Sequence, residues 1–516
     1  MGATTTQGVE HVDVLIVGAG ISGIGCAYYL QKHHPQRSYA ILEARGDLGG
    51  TWDLFRFPGI RSDSDLHTFG FEFKPWESEY AIASGAEILD YIREAARENG
   101  IERRIRTGQR VVSMSWSSEE ARWLAEIERT DTGRRTQLSA DWVFSGAGYY
   151  RYDAGYLPEL PGIERYLGRV VHPQQWPRDL DYAGKRVVVI GSGSTAVTLI
   201  PVMAETAAHV TMLQRSPSYI LSLPSKDPLA KKLMKVLGPQ RGYAWARRKN
   251  VFIQNAIYQF CQRYPQRARR LIRRLTIKQL PDGYPVDVHF NPRYNPWDQR
   301  MCLVPNGNLF RSIRQGKASV VTDRIETFTA TGVRLASGEE LEADIIVTAT
   351  GLRLQAFGGI EMYVDGERVD IPKKIAFRGV MLDGIPNFAF LIGYTNASWT
   401  LKVGLVCEHF CRLLARMDEL DADTCTVELP YPHMETRPLL NFAAGYVQRA
   451  LDELPRQGTR SPWQLAMSVK TDVRVLRDGP VDDRNLHFSR AREAGAEPAD
   501  VGAGVGAGAS AASAAA

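Results

Sequence analysis

Cysteine is scarce in this sequence: Cys26, Cys261, Cys302, Cys407, Cys411 and Cys425 are the six in 516 residues, and none forms a C-x-x-C pair. That spacing argues against a zinc site and a thiol–disulfide reductase, and for a reducing, intracellular setting. Long apolar runs are also missing. No stretch reaches the roughly 18 residues that a membrane span needs, and the opening "MGATTTQGVEHVD" lacks a charged-then-apolar leader profile. A cytoplasmic protein is expected. Acidic residues are nearly absent from one segment only: residues 226–278 hold 15 Lys and Arg against Asp227, whereas the whole chain carries +5. The positive charge belongs to one local module, and no nucleic-acid partner is expected.

What is present is ordinary for a soluble chain, 44% apolar and 23% charged residues, with length for roughly two to four domains. Two stretches share one grammar. Residues 12–17 read as a buried strand, Gly18, Gly20 and Gly23 as a tight turn, Ile21 onward as a helix, and "YAILE" as a strand closing at Glu43. The pattern recurs in "RVVVI", the turn with Gly191 and Gly193, a helix from Ser194, and "VTMLQ" leading to Arg215. Two βαβ units of this kind predict an α/β fold with two Rossmann-like domains.

Each turn fits a dinucleotide. The first glycine permits the turn, the second lets a pyrophosphate approach the backbone, and the third lets helix and strand touch, while the helix N-terminus attracts phosphate. Glu43 would bind ribose hydroxyls and repel a 2′-phosphate, which fits FAD or NAD at the first site. At the second, Gly191, Gly193 and Ala196 repeat the spacing with Ser194 and Thr195 opening the helix, but Arg215 and Ser216 replace the acid. A guanidinium there takes a 2′-phosphate, so NADPH is expected.

Two more strands end in glycine, at 141–148 and 343–351, and bracket the second unit. They predict that one dinucleotide domain is inserted into the other. The expected boundaries are 1–150 and 376–490 for the FAD domain, 164–222 and 297–375 for the NADPH domain, 223–296 for a basic helical insert, and 491–516 for a disordered Ala/Gly tail. In the insert Phe252, Ile253, Ala256, Ile257, Phe260, Cys261 and Tyr264 recur at helical spacing. Solvated faces of a helical insert, attraction of anionic NADPH and contact with an anionic membrane surface all fit that segment.

Between the two units stand "GTWDLFRFPGIRSD" and "YLGRVVHPQQWP". Gly50, Trp52, Phe57, Pro58, Gly59 and Asp63 in the first, with Gly168, His172, Trp176 and Pro177 in the second, resemble the two signatures of type I Baeyer–Villiger flavin monooxygenases. Tyr166 stands where the family opens its second signature with Phe. The resemblance is nearest to the ethionamide-activating branch and runs from about Val12 to Phe488, taking in "NPWDQRMCLVP" and "ETRPLLNFAAGYVQRALDELP".

The resemblance implies a chain that uses NADPH, FAD and O2 to convert ketones to esters or lactones through a flavin peroxide, and that also oxidises thioethers. An N- or S-hydroxylating flavin monooxygenase is the alternative. It further implies that Arg300 is the catalytic cation and Asp63 its partner, with Gly50, Thr51, Trp52, Asp53 and Asp63 near the flavin. Many relatives place Lys before that arginine; Gln299 here leaves phosphate recognition to Arg215 and Ser216. His172 is expected to fix how the two domains meet rather than to move protons. Asn396 and Ser398 are read either as hydrogen-bond partners of the isoalloxazine or as core.

Overall fold

The computed structural model describes residues 8–299, 301–431, 433–440 and 444–491. Apart from Ala491, the expected tail at 491–516 lies outside the described residues. Both βαβ units form where β-branched runs and glycine turns predict them, and the fold is α/β. In the first sheet Glu10–Val17 lies between Tyr39–Leu42 and Arg135–Ser145, parallel to both. An antiparallel meander of Gln109–Ser117 and Arg122–Arg129 extends it. The second sheet is wholly parallel, in the order Ala318–Thr322, His209–Gln214, Arg186–Ile190, Ile345–Thr348 and Arg169–Val171. Strands covered on both faces need continuous apolar runs. Val14, Leu15 and Ile16 in one sheet, and Val187, Val188 and Val189 in the other, are accordingly buried.

The chain leaves the first sheet after Ser145 and comes back after Thr348. These two passages run side by side as a ribbon. Arg151 donates its N–H to the Arg353 carbonyl at 2.9 Å, Tyr156 to Gly351 at 3.0 Å, and Gln355 to Tyr149 at 2.9 Å. The return comes earlier than residue 376, since Glu361–Val364 already pairs with Gln109–Ser117. That strand is short and half-exposed, so its register comes from its neighbour and not from a pattern of its own. Phe388–Phe390 then seats against Arg135–Ser145.

The insert is helical as expected: Pro228–Leu237, Pro239–Arg263 and Pro265–Ile277 follow one another. Each opens on proline, whose fixed φ suits the first helical position and whose missing N–H costs nothing there. Among the described residues no helix is long and apolar enough to cross a membrane.

Candidate active site

Both glycine turns open into one cavity of about 1310 Å³ at the carboxyl ends of the two sheets. This is where parallel sheets gather ligands. Gly18 and Gly191 sit at φ of +96° and +131°, conformations that a side chain would strain. Gly23 is a packing residue: a Cβ there would stand 1.9 Å from the Gly18 carbonyl oxygen, and Gly23 itself does not line the cavity. The middle glycines differ. A Cβ on Gly193 would meet nothing within 4 Å, and one on Gly20 only the Cα of Gly50 at 3.7 Å. The protein leaves both spaces open on the cavity side. Gly20 and Gly193 are also the N-caps of Ile21–His33 and Ser194–Met203, with no side-chain cap and no acid in either first turn. Two sets of free N–H donors therefore face one chamber, which suits two pyrophosphates.

Glu43 is 5% exposed and lines the cavity. Its carboxylate accepts from the backbone N–H of Ala19 at 2.8 Å and of Arg45 at 2.9 Å, which fixes its orientation in the cavity wall. Burial pushes this carboxyl up, and the two N–H groups pull it back. Arg215 and Ser216 are exposed on the rim of the same cavity, and the half-buried Ser194 and Thr195 at the helix start line it too. Asp53 does otherwise than expected. Its carboxylate is held by Arg45 at 2.6 Å and Arg56 at 2.6 Å, it is 3% exposed, and it does not line the cavity.

The first signature bridges the two halves. Phe55 and Phe57 are buried in the core of the second unit, against Val197 and Ile200. Gly59, at φ +76°, lets the loop lie on Ser194–Met203, because a Cβ there would stand 2.7 Å from Val202 and 3.0 Å from the Thr198 carbonyl. Anchored so, the loop brings Asp63 back to the cavity beside Gly50, Thr51 and Trp52. Arg61, which sequence reasoning passed over, lines the cavity too. Its guanidinium donates to the carbonyl of Ser62 at 3.1 Å and lies 3.9 Å from Asp63, and burial pulls its proton affinity down. Arg300 lies outside the described residues; Gln299 and Cys302 near it in sequence both line the cavity.

His172 holds the ribbon. Its Nδ1 accepts from the Gln174 N–H at 3.2 Å, and its Nε2 faces the Gly351 carbonyl at 3.3 Å. The ring lies over Gly155, where a Cβ would stand 1.9 Å away. With both nitrogens engaged and burial lowering its proton affinity, this imidazole is placed as a spacer between the two passages and not as a base. Tyr166, in the place of Phe, donates its hydroxyl to the Ala343 carbonyl at 2.9 Å.

Asn396 and Ser398 point away from the cavity. Asn396 donates to the Met467 carbonyl at 3.0 Å, and Ser398 shares a 2.6 Å hydrogen bond with Thr68. The wall there is built by Tyr394, Ala397 and Trp399. Behind it Lys402, fully buried, lies 3.0 Å from Asp472, which also accepts from the Tyr394 hydroxyl at 2.6 Å. Sequence reading also missed Ser192 and Ser218, 2.9 Å apart on the Arg215 side, and Tyr152, 3.4 Å from Thr51.

Residues 71–364 match the flavin-binding monooxygenase-like family model, and residues 16–79 an NAD(P)-binding Rossmann-like domain. The FAD-containing monooxygenase EthA of Mycobacterium tuberculosis is 54% identical over 494 residues, 96% of this chain and 99% of the relative. The probable FAD-binding monooxygenase AlmA of Acinetobacter baylyi is 45% identical over 484 residues, 93% and 97% of the two chains. A solved oxidized steroid monooxygenase bound to NADP shares the fold at a TM-score of 0.72 and 22% identity, covering 93% of this chain and 100% of that one. An open cyclohexanone monooxygenase does so at 0.68 and 21%, covering 82% and 90%.

Proposed function

The chain belongs to the flavin-binding monooxygenase-like family, and from that footing we propose that it is a Baeyer–Villiger monooxygenase that inserts oxygen beside a ketone carbonyl and also oxidises thioethers. It is an FAD-containing monooxygenase that works with NADP. The observation that carries the finer reading is the single chamber into which both dinucleotide turns and Asp63 of the first signature open. FAD bound there and reduced by NADPH would supply oxygen activated from O2.

The chain's own residues have three tasks in this reading. The N-termini of Ile21–His33 and Ser194–Met203 bind the two pyrophosphates, with Glu43 and Arg215 sorting the ribose ends. The loop anchored by Phe57 and Gly59 keeps the two nucleotides in register. Asp63, with Arg61 beside it at the cavity, is the partner that the family resemblance assigns to Arg300, whose guanidinium would face the negative charge that develops on oxygen when a carbonyl is attacked. The discontinuous FAD domain, split by an NADPH domain, belongs to the same proposal.

The test is product structure. Incubated with NADPH, air and a panel of linear, cyclic and aryl ketones, the enzyme should release esters or lactones, identified by mass spectrometry. Oxygenation of amines and thioethers with every ketone left intact would replace this reading by N- or S-hydroxylation.

Two substitutions probe the binding tasks. Arg215→Ala should raise KM for NADPH far more than for NADH, by about 1.5–3 kcal/mol for one charge-assisted contact. Steady-state kinetics with both coenzymes decides it, and equal effects would remove Arg215 from the phosphate site. Gly20→Ala should fold, because its methyl has room in the protein, yet hold FAD more weakly by about 1–3 kcal/mol through crowding. Flavin titration of the apoenzyme measures that loss.

A further inference from the structure

The helical insert hides the wrong side of its apolar pattern. In Pro239–Arg263 the buried residues are Gly242, Tyr243, Ala246, Asn250 and Cys261. The larger apolar side chains face outward: Phe252 is 73% exposed, Trp245 56% and Ile253 45%. The next helix repeats this. In Pro265–Ile277, Leu271 and Leu275 are exposed at one turn's spacing, on the side that also carries Arg267, Arg274 and Lys278. Where the two helices meet, the rings of Phe260 and Tyr264 lie 6.0 Å apart and Arg267 sits over Tyr264 at 5.2 Å.

The charges on this side are uncommitted. Lys226 and Lys231 pair with Glu79, Lys249 with Asp227, and Arg273 with Asp287. Among the described residues no carboxylate pairs with Lys232, Lys235, Arg263, Arg267, Arg274 or Lys278. Any occupant must therefore accept aliphatic and aromatic side chains at one depth and cations around them. A second copy would set 15 cations and one acid against the same charges. An anionic bilayer meets both demands, apolar below the headgroups and negative at them.

We propose that residues 228–277 dock the protein in-plane on an anionic lipid surface. The site behind them gives the docking a purpose. Arg247 donates to the carbonyls of Thr68 at 2.9 Å and Gly70 at 2.8 Å, and Asn250 donates to Asp65 at 2.9 Å. These clamp the insert to Leu66–Phe69, whose Phe69 lines the cavity. On the other side Ile272 packs with Tyr219 and Met301. A docked insert sets the cavity wall close to the bilayer, where apolar substrates concentrate.

The full-length, FAD-loaded protein is sedimented with vesicles of phosphatidylcholine and phosphatidylglycerol in equal parts, and with phosphatidylcholine alone. Binding is expected only to the anionic vesicles and is lost in 1 M salt, where screening acts over about 3 Å. Phe252→Gln, Ile253→Gln, Leu271→Gln and Leu275→Gln together should lower partitioning at least about tenfold, with NADPH oxidation in vesicle-free buffer unchanged. Arg267→Gln, Arg274→Gln and Lys278→Gln together should do the same. For the unaltered protein, hydrogen exchange should slow on addition of anionic vesicles within 228–277. Absence of that protection and of sedimentation overturns the proposal. So does full binding by the apolar-face variant, which would mean charge adsorption alone. A dimer in sedimentation equilibrium that this variant dissolves, without lipid binding, would assign the face to a second copy.

Discussion

Arg300→Ala enzyme should keep its yellow FAD and its oxidation of NADPH, yet form ester about 10²–10³ times more slowly, with oxygen diverted to hydrogen peroxide. The size is that of losing one donor to an oxygen on which negative charge develops, the role proposed for Arg300. A guanidinium does not deprotonate, so it supplies this charge at any working pH. Asp63→Ala should share the defect, and the double variant should be little worse than Arg300→Ala, because residues that act as a unit give non-additive losses. Stopped-flow absorbance separates flavin reduction from later steps, and product analysis reports ester. Normal ester yield from folded, flavin-loaded Arg300→Ala would sink the assignment.

A second large effect is expected at Lys402. Its ammonium is fully buried, 3.0 Å from Asp472 and 2.8 Å from the Ala466 carbonyl, and Asp472 is 2% exposed. Burial pulls the ammonium's proton affinity down, and Asp472 pulls it back up. Lys402→Ala leaves a carboxylate in the core without its cation, which costs about 3–5 kcal/mol. The variant should unfold at lower temperature and lose flavin, since the Asp472 carboxylate also holds Tyr394 in the cavity wall. Lys402→Met combined with Asp472→Asn removes both charges and keeps an acceptor for the Tyr394 hydroxyl, so it should recover most of that loss. Thermal unfolding followed by flavin fluorescence measures both. An unchanged midpoint in Lys402→Ala would show that the pair contributes nothing.

The parts of this molecule legible in the sequence are those set by short-range chemistry. Gly18 to Gly23 and Gly191 to Ala196 announce their turns because few residue types tolerate those conformations, and the valine-rich runs beside them announce parallel strands. Orientation is another matter. Asp53 lies within the first signature, but its direction is decided by Arg45 and Arg56, which spacing does not reveal. Asn396 and Ser398 carry groups fit for a flavin, but the Asn396 amide N–H goes to the Met467 carbonyl and the Ser398 hydroxyl to Thr68. The apolar spacing around Phe252 predicts a helix correctly and is silent on which side the rest of the protein covers. Lys402 reads as one more surface lysine, because its partner Asp472 is distant in sequence and only the tertiary fold brings them together.

The side-by-side passages at 146–156 and 349–355 also bear on how the chain is made. During synthesis every strand of the second sheet has left the ribosome once Thr348 emerges, and that sheet can close while the polypeptide is still growing. The first sheet must wait. Glu361–Val364 and Phe388–Phe390 pair with strands made more than 200 residues earlier, so its closure is a late, long-range event. Until it happens the Val143–Ser145 end of that strand, beyond its pairing with Arg122–Arg129, and the outer edge of Gln109–Ser117 stay bare, the state in which strands seek partners on other molecules. A truncation after the second sheet should therefore yield a soluble inner unit carrying an aggregation-prone N-terminal half, and slower translation between residues 350 and 390 should lower the yield of intact enzyme.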